Sequence, residues 1–245
     1  MSDSDAATQK FMLSLVGMGP GHPKCVTQEA IDEIRCADVV LAFGRIAETA
    51  EQFRTPVARI GRVDEVCARL DAARHVALLA SGDPGFFGIL DYLCAQNIRI
   101  DRVIPGISTM QYFMAVLRKS WHSARFISLH GREEDWSDAA ACPLFVVLTD
   151  RTHTPTLISK RLHRLGLRGD LTVGSRLSYA DERVIAARIG DEIDDDGSLA
   201  LVVVEQSIVE RTFLSVHGEE KSSFAREAYS SLHANAFLKV FEFVI

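Results

Sequence analysis

No apolar run in the 245 residues approaches the roughly 20 needed to span a bilayer; the longest are short, such as Leu199–Val204. The first ten residues hold two aspartates and no apolar stretch, so no secretory leader is expected there. Positive charge is not in excess. Lys and Arg number 27 against 33 Asp and Glu, a net charge of −6, which disfavours nucleic acid as the main partner because phosphates need a basic face. The five cysteines, at 25, 36, 67, 94 and 142, form no CxxC pair and have no histidine at a metal-ligand spacing. A disulfide framework and a metal site are therefore not expected, the cytoplasm is the simplest setting, and each cysteine reads as a small buried apolar residue. The eight histidines form no HExxH and no Ser/His/Asp order, which leaves hydrolytic chemistry without support. What is present is ordinary globular composition, 47% apolar and 24% charged, enough for one large domain or two small ones.

Short β-branched runs alternate with amphipathic stretches, the signature of an α/β fold. Phe11–Val16 reads as a first strand, and Thr27 as the N-cap of a helix with Ala30, Ile31, Ile34 and Ala37 on its apolar face. Strands follow at Asp38–Ala42 and Val57–Ile60, then a helix over Val63–Arg74. His75–Ala80 is apolar throughout and predicts a central strand buried on both faces. Helical spacing resumes over Phe86–Ala95, Val103-Ile104 closes a strand, and a helix runs from about Ile107 to Leu117. A parallel sheet is expected for this N-terminal domain, 11–119. In a C-terminal domain, 120–206, strands are expected at Arg125–His130, Leu144–Thr149, Leu171–Val173, Arg183–Ile189 and Leu199–Val204, with a helix over Thr156–Leu165. Asp191–Asp196 reads as a short acidic helix or turn with a solvated face. Residues 207–245 form an extension with a possible helix over Ser223–His233, a strand-like end over Phe237–Ile245 and no interpretable motif.

Ligands of open parallel sheets bind beyond the carboxyl ends of strands. Three such loops, 17–21, 81–88 and 105–109, are rich in Gly and Pro, and together they point to one shared ligand site. A dinucleotide fingerprint is not met, since residues 17–21 read G-x-G-P-G, residue 22 is His and Pro20 removes a backbone donor. No G-K-[ST] occurs, so there is no P-loop. An uncharged or cationic nucleoside-like ligand fits better. Asp83 has two readings, a cap on the following amides or a ligand contact. His130, at a strand end before Gly131 and Arg132, is either a satisfied structural histidine or a catalytic one.

Three blocks in this order resemble the tetrapyrrole methylase family: Val16-Gly17-Met18-Gly19-Pro20-Gly21, Ala80-Ser81-Gly82-Asp83-Pro84-Gly85-Phe86-Phe87-Gly88 and Ile104-Pro105-Gly106-Ile107-Ser108. Within it, Ser128-Leu129-His130-Gly131-Arg132 and Tyr179-Ala180-Asp181-Glu182-Arg183 are similar to the branch that methylates the C5 bridge carbon of (cobalt-)precorrins. Ser178-Tyr179-Ala180 stands where the family usually has Gly-Tyr-Pro, and Thr109 where serine is common. The resemblance implies two αβα domains, S-adenosylmethionine folded in the cleft between them, a homodimer, and S-adenosylhomocysteine as product. It places cofactor contacts at Pro20, Ser81, Gly82, Asp83, Phe86, Ser108, Thr109, Thr149, Leu177 and Ala200. Arg45, Arg132 and Arg151 are candidates for the substrate's carboxylates, and His130 and Asp181 for collecting a proton from the ring. The 39 residues after 206 cannot build the second methyltransferase domain of longer fused enzymes, so C15 methylation with decarboxylation is expected in a separate protein. Other acceptors keep the same fold: another precorrin carbon, uroporphyrinogen III, RNA or diphthine. The acidic balance disfavours RNA, and Ile89-Leu90 stands where an arginine is usual for uroporphyrinogen. A non-catalytic sensor of S-adenosylmethionine or corrinoid is the alternative from another class.

Overall fold

The computed structural model describes residues 11–62, 65–66, 69, 73–129, 136 and 142–207. All of them belong to one compact unit, Met1–Ile208. Its first half runs β1 (Met12–Gly17), α1 (Gln28–Cys36), β2 (Val39–Phe43), α2 (Gly44–Ala50), β3 (Ala58–Ile60), β4 (His75–Ala80), α3 (Leu90–Ala95), β5 (Arg102–Ile104) and α4 (Thr109–Leu117). The five strands pair in the order β3-β2-β4-β1-β5, every pair parallel. The expected central strand is thus the third of five. Period-two alternation explains how it is buried twice. Leu13, Leu15, Leu41, Val76 and Leu78 share one core with Leu93 of α3. Val16, Val40, Ala42, Ala77 and Leu79 share another with Ala30 and Ile34 of α1.

Thr27 caps α1, its Oγ1 accepting from the Ala30 N–H at 3.2 Å. The same helix buries a carboxylate. Glu33, 5% exposed, binds Arg102 Nη1 at 2.6 Å, His75 Nε2 at 2.7 Å and the buried Ser14 hydroxyl. Both of its oxygens are engaged, Oε1 by His75 and Ser14 and Oε2 by Arg102, as a carboxyl group at that depth requires.

The second half contains β6 (Arg125–Ser128), β7 (Leu144–Leu148), α5 (Pro155–Arg164), β8 (Gly169–Ser175), β9 (Arg183–Arg188) and β10 (Ala200–Gln206). The order is β6-β7-β10-β8-β9; β6 and β7 are parallel, and the other pairs are antiparallel. Alternation again decides the packing. Phe145, Val147, Val202 and Val204 face Ile158 and Leu162 of α5. Val146, Leu201 and Val203 face Met110, Phe113 and Met114 of α4. Helix α4 belongs to the first half in sequence and packs on the sheet of the second, so one apolar core joins the halves. Gly174 leaves the room for it: a Cβ there would lie 2.6 Å from the Phe113 ring. None of the described helices is long and apolar enough to cross a membrane.

Three expectations change. The helix expected over Phe86–Ala95 starts only at Leu90, because the preceding turn folds back until a Cβ on Gly88 would meet Pro84 O at 2.3 Å. Of the helix or turn expected over 191–196, no helix forms. Its aspartates accept neighbouring amides, Asp191 from Arg188, Asp195 from Gly197 and Asp196 from Ser198, while Ile193 enters the core at 5% exposure. The four described cysteines are not buried: Cys36 and Cys94 are exposed, and Cys25 and Cys142 half-buried. Cys36 and Cys94 lie on helix faces turned away from the sheet, where Ile34 and Leu93 fill the core instead. Cys67, most of the helix expected over Val63–Arg74, His130, Arg132 and the extension beyond 207 lie outside the described residues.

Candidate active site

β4, β1 and β5 are neighbours, so the three glycine-rich loops leave adjacent strand ends. They meet backbone to backbone. Gly19 and Gly82 exchange hydrogen bonds, Gly82 N to Gly19 O at 2.8 Å and Gly19 N to Gly82 O at 3.2 Å. A Cβ on Gly17 would lie 2.5 Å from Gly106 N, and one on Gly106 would lie 2.2 Å from Gly82 O. No Cβ fits at Gly17 or Gly106, and Gly82, where a Cβ would have room, turns with a φ of +64° that favours glycine. Asp83 ties it together: Oδ1 accepts from Gly85 N at 2.8 Å and Oδ2 from Gly106 N at 3.1 Å. Ser108, 3% exposed, then starts α4 through a capping box with Gln111.

The turn after β8 closes over the first loop. His22 N donates to Ser178 Oγ at 2.7 Å, and a Cβ on Gly21 would strike the Tyr179 ring at 2.3 Å. The Arg45 guanidinium lies over that ring, 5.1 Å from its centre, a cation–π contact. Glu182 Oε2 accepts from Tyr112 Oη at 2.8 Å and from Ser178 N at 2.7 Å, joining α4 to the turn. Burial, followed by the Glu182 carboxylate, pushes the Tyr112 phenol up to about 12. Burial also raises Tyr179, against the pull of Arg45.

The candidates in the three loops, Pro20, Ser81, Gly82, Asp83, Phe86, Ser108 and Thr109, are brought together around the crossing. Ser81 is exposed there, while Pro20 and Gly82 are buried. Leu177, 3% exposed, packs in the shared core with Phe86 at its edge. Thr149 and Ala200 hold each other at the ends of β7 and β10: Thr149 Oγ1 accepts from Ala200 N at 2.7 Å, and Thr149 N donates to Ala200 O at 3.0 Å. The next residue, Asp150, accepts from the amides of His153 and Thr152. Led by the His153 amide, these bonds hold its carboxyl at about 2. Arg151 is exposed on this turn. Asp181 is 56% exposed and paired with Arg176 Nε at 3.0 Å. The sequence gives no signal for Tyr112, and it marks Ser178 and Glu182 only as parts of the motifs that carry the family resemblance, with no role of their own. Tyr112 is one more aromatic on a core helix, and nothing local distinguishes it.

The donor set of the crossing suits a cationic nucleoside. Loops 17–21, 81–88 and 105–109 contain no Lys or Arg to hold a polyphosphate, and they do contain the Asp83 carboxylate. Beside it stand an exposed Ser81 hydroxyl and the Ile107 side chain, 39% exposed.

Fold and site together define a methyltransferase that draws on S-adenosylmethionine. The profile of the Tetrapyrrole (Corrin/Porphyrin) Methylases matches residues 12–192, and the chain belongs to that family. It is 33% identical over 186 residues to the cobalt-precorrin-7 C(5)-methyltransferase of Salmonella typhimurium, covering 71% of this chain and 89% of the relative. Among solved structures it is similar to the uroporphyrin-III C-methyl transferase of Thermus thermophilus complexed with S-adenyl homocysteine, with TM-score 0.65 and 25% identity over 79% of this chain and 97% of the other. The fold is also that of the precorrin-6Y methylase of Archaeoglobus fulgidus, with TM-score 0.63 and 24% identity over 80% and 99%.

Proposed function

We propose that this methyltransferase acts on the C5 bridge carbon of a precorrin or cobalt-precorrin, in cobalamin biosynthesis. The observation that carries the reading is the three-loop crossing at Gly17, Gly82 and Gly106, closed on one side by the Tyr179 turn. The choice of carbon rests on the name borne by the Salmonella typhimurium relative. When bound, S-adenosylmethionine supplies a methyl group activated by its positively charged sulfur. Asp83 sets a carboxyl group at the crossing and keeps the second and third loops in register. Thr149, Leu177 and Ala200 offer apolar and backbone surface to the adenosine. In this reading residues 11–119 and 120–206 act as two domains with the cofactor between them, 207–245 is an extension, and the chain works as a homodimer.

Transfer to carbon needs the reacting atoms in line, and rigid positioning of this kind supplies on the order of 7–11 kcal/mol. Backbone crossed at glycines is well suited to it, since no rotamer has to be frozen. Arg45, Arg132 and Arg151 meet the carboxylates of the macrocycle, and His130 or Asp181 collects the proton released by the ring. The test is incubation with ¹³C-methyl-labelled S-adenosylmethionine and cobalt-precorrin-7, with product NMR. Label at C5 supports the reading. Label at another carbon, or on uroporphyrinogen III alone, overturns the position, and tight binding without transfer overturns the enzyme in favour of a sensor.

A further inference from the structure

Phe87 has a backbone that phenylalanine rarely adopts, with φ of +50°. A bulky residue in the left-handed region is held there by its surroundings. The cause is local. Phe86 N donates to Asp83 O, Leu90 N donates to Pro84 O, and Gly88 is pressed against Pro84, so the chain must reverse at residue 87. Glycine would make this turn without strain. Core packing does not explain the aromatic ring, because Phe87 remains 36% exposed. Among the described residues its one aromatic contact is edge-on to Phe86, centroids 4.9 Å apart. Phe86 in turn meets Phe126 at 5.4 Å, and Phe126 meets Trp121 at 6.5 Å. Phe86 and Phe126 pack against the core that joins the halves, so the exposed ring stands on a rigid support. It lies five residues after Gly82, on the loop that forms the crossing.

We propose that Phe87 is a substrate-recognition residue whose ring stacks on the face of the tetrapyrrole and sets its affinity, leaving that of S-adenosylmethionine unchanged. A conjugated macrocycle offers a wide, flat, polarisable face, and one aromatic stack contributes about three- to tenfold in affinity. The inference rests on the tetrapyrrole reading, and its test is chosen to separate the two. Full-length wild type, Phe87→Gly and Phe87→Tyr are compared by absorbance titration with cobyrinic acid, a stable corrin polycarboxylate, and by calorimetry with S-adenosylhomocysteine. Expected are a three- to tenfold weaker corrin affinity for Phe87→Gly, near-wild-type affinity for Phe87→Tyr, unchanged S-adenosylhomocysteine affinity in both, and a melting temperature for Phe87→Gly at or above wild type. Corrin affinity in Phe87→Gly within twofold of wild type overturns the proposal. So does a parallel loss of S-adenosylhomocysteine affinity, or a change of oligomeric state that accounts for the weaker corrin binding. A wild type that binds corrin through Phe87 yet transfers no methyl group supports the stack and refutes the transferase reading instead.

Discussion

Replacing Gly106 by alanine puts a methyl group 2.2 Å from Gly82 O and 2.9 Å from Gly17 Cα, and its three nearest neighbours are all backbone atoms. No side chain can swing aside, so the loops must part by about 1 Å to restore ordinary contact. Overpacking on this scale costs about 1–3 kcal/mol. The alternative, surrendering the two Gly19–Gly82 hydrogen bonds, costs about 1 kcal/mol each. The strain is therefore relieved by opening the crossing, and the fold itself survives. A 1 Å displacement of a positioning element costs about a hundredfold in rate. Calorimetry with S-adenosylhomocysteine, single-turnover methyl transfer and thermal melting are measured on Gly106→Ala beside Gly166→Ala. Gly166 has a φ of +80° with nothing within 4 Å of its Cβ, so its substitution strains the backbone far from any crossing. The expected result for Gly106→Ala is a melting point lowered by a few degrees and transfer lowered about a hundredfold. Gly166→Ala should lose about 1 kcal/mol of stability and none of the affinity. Wild-type binding and transfer by Gly106→Ala, or equal losses in both variants, would refute the reasoning.

Tyr112→Phe removes a donor from Glu182 and should cost about 1–2 kcal/mol in urea unfolding at pH 8. Because the folded phenol titrates at about 12 against 10.0 for the free group, its contribution is complete below pH 10 and is lost as pH rises through 12. The variant's deficit should therefore shrink over that range in melting curves. Asp150 runs the other way. With a folded value of about 2 against 3.8, it stabilises fully above pH 4 and loses that effect as pH falls through 2. Asp150→Asn should thus melt below wild type at pH 7 and converge with it in acid; a gap that stays constant with pH would contradict the assignment.

Much of the fold could be read from sequence because local chemistry and tertiary environment agreed. His75–Ala80 has no polar face to turn to water, and a strand apolar on both sides belongs in the middle of a parallel sheet. The glycine loops were visible for the same reason, since G-x-G-P-G and S-G-D-P-G permit few conformations other than turns. What could not be read depends on partners distant in the chain. The place of β10 between β7 and β8 is a matter of topology, and its apolar run would suit any central position. Glu33 sits between Glu29 and Arg35 on an amphipathic helix, and only the approach of Arg102 and His75 reveals that it is buried. The Tyr112–Glu182 contact spans 70 residues and joins a core helix to a turn. The late start of α3 follows from the collision of Gly88 with Pro84, which helical spacing does not register.

The most direct measurement is a crystal structure of the full chain with S-adenosylhomocysteine bound. The account predicts one bent nucleoside in contact with residues from 17–21, 81–88 and 105–109 together. A ligand seated on a single loop, or on a different face of either sheet, would contradict it.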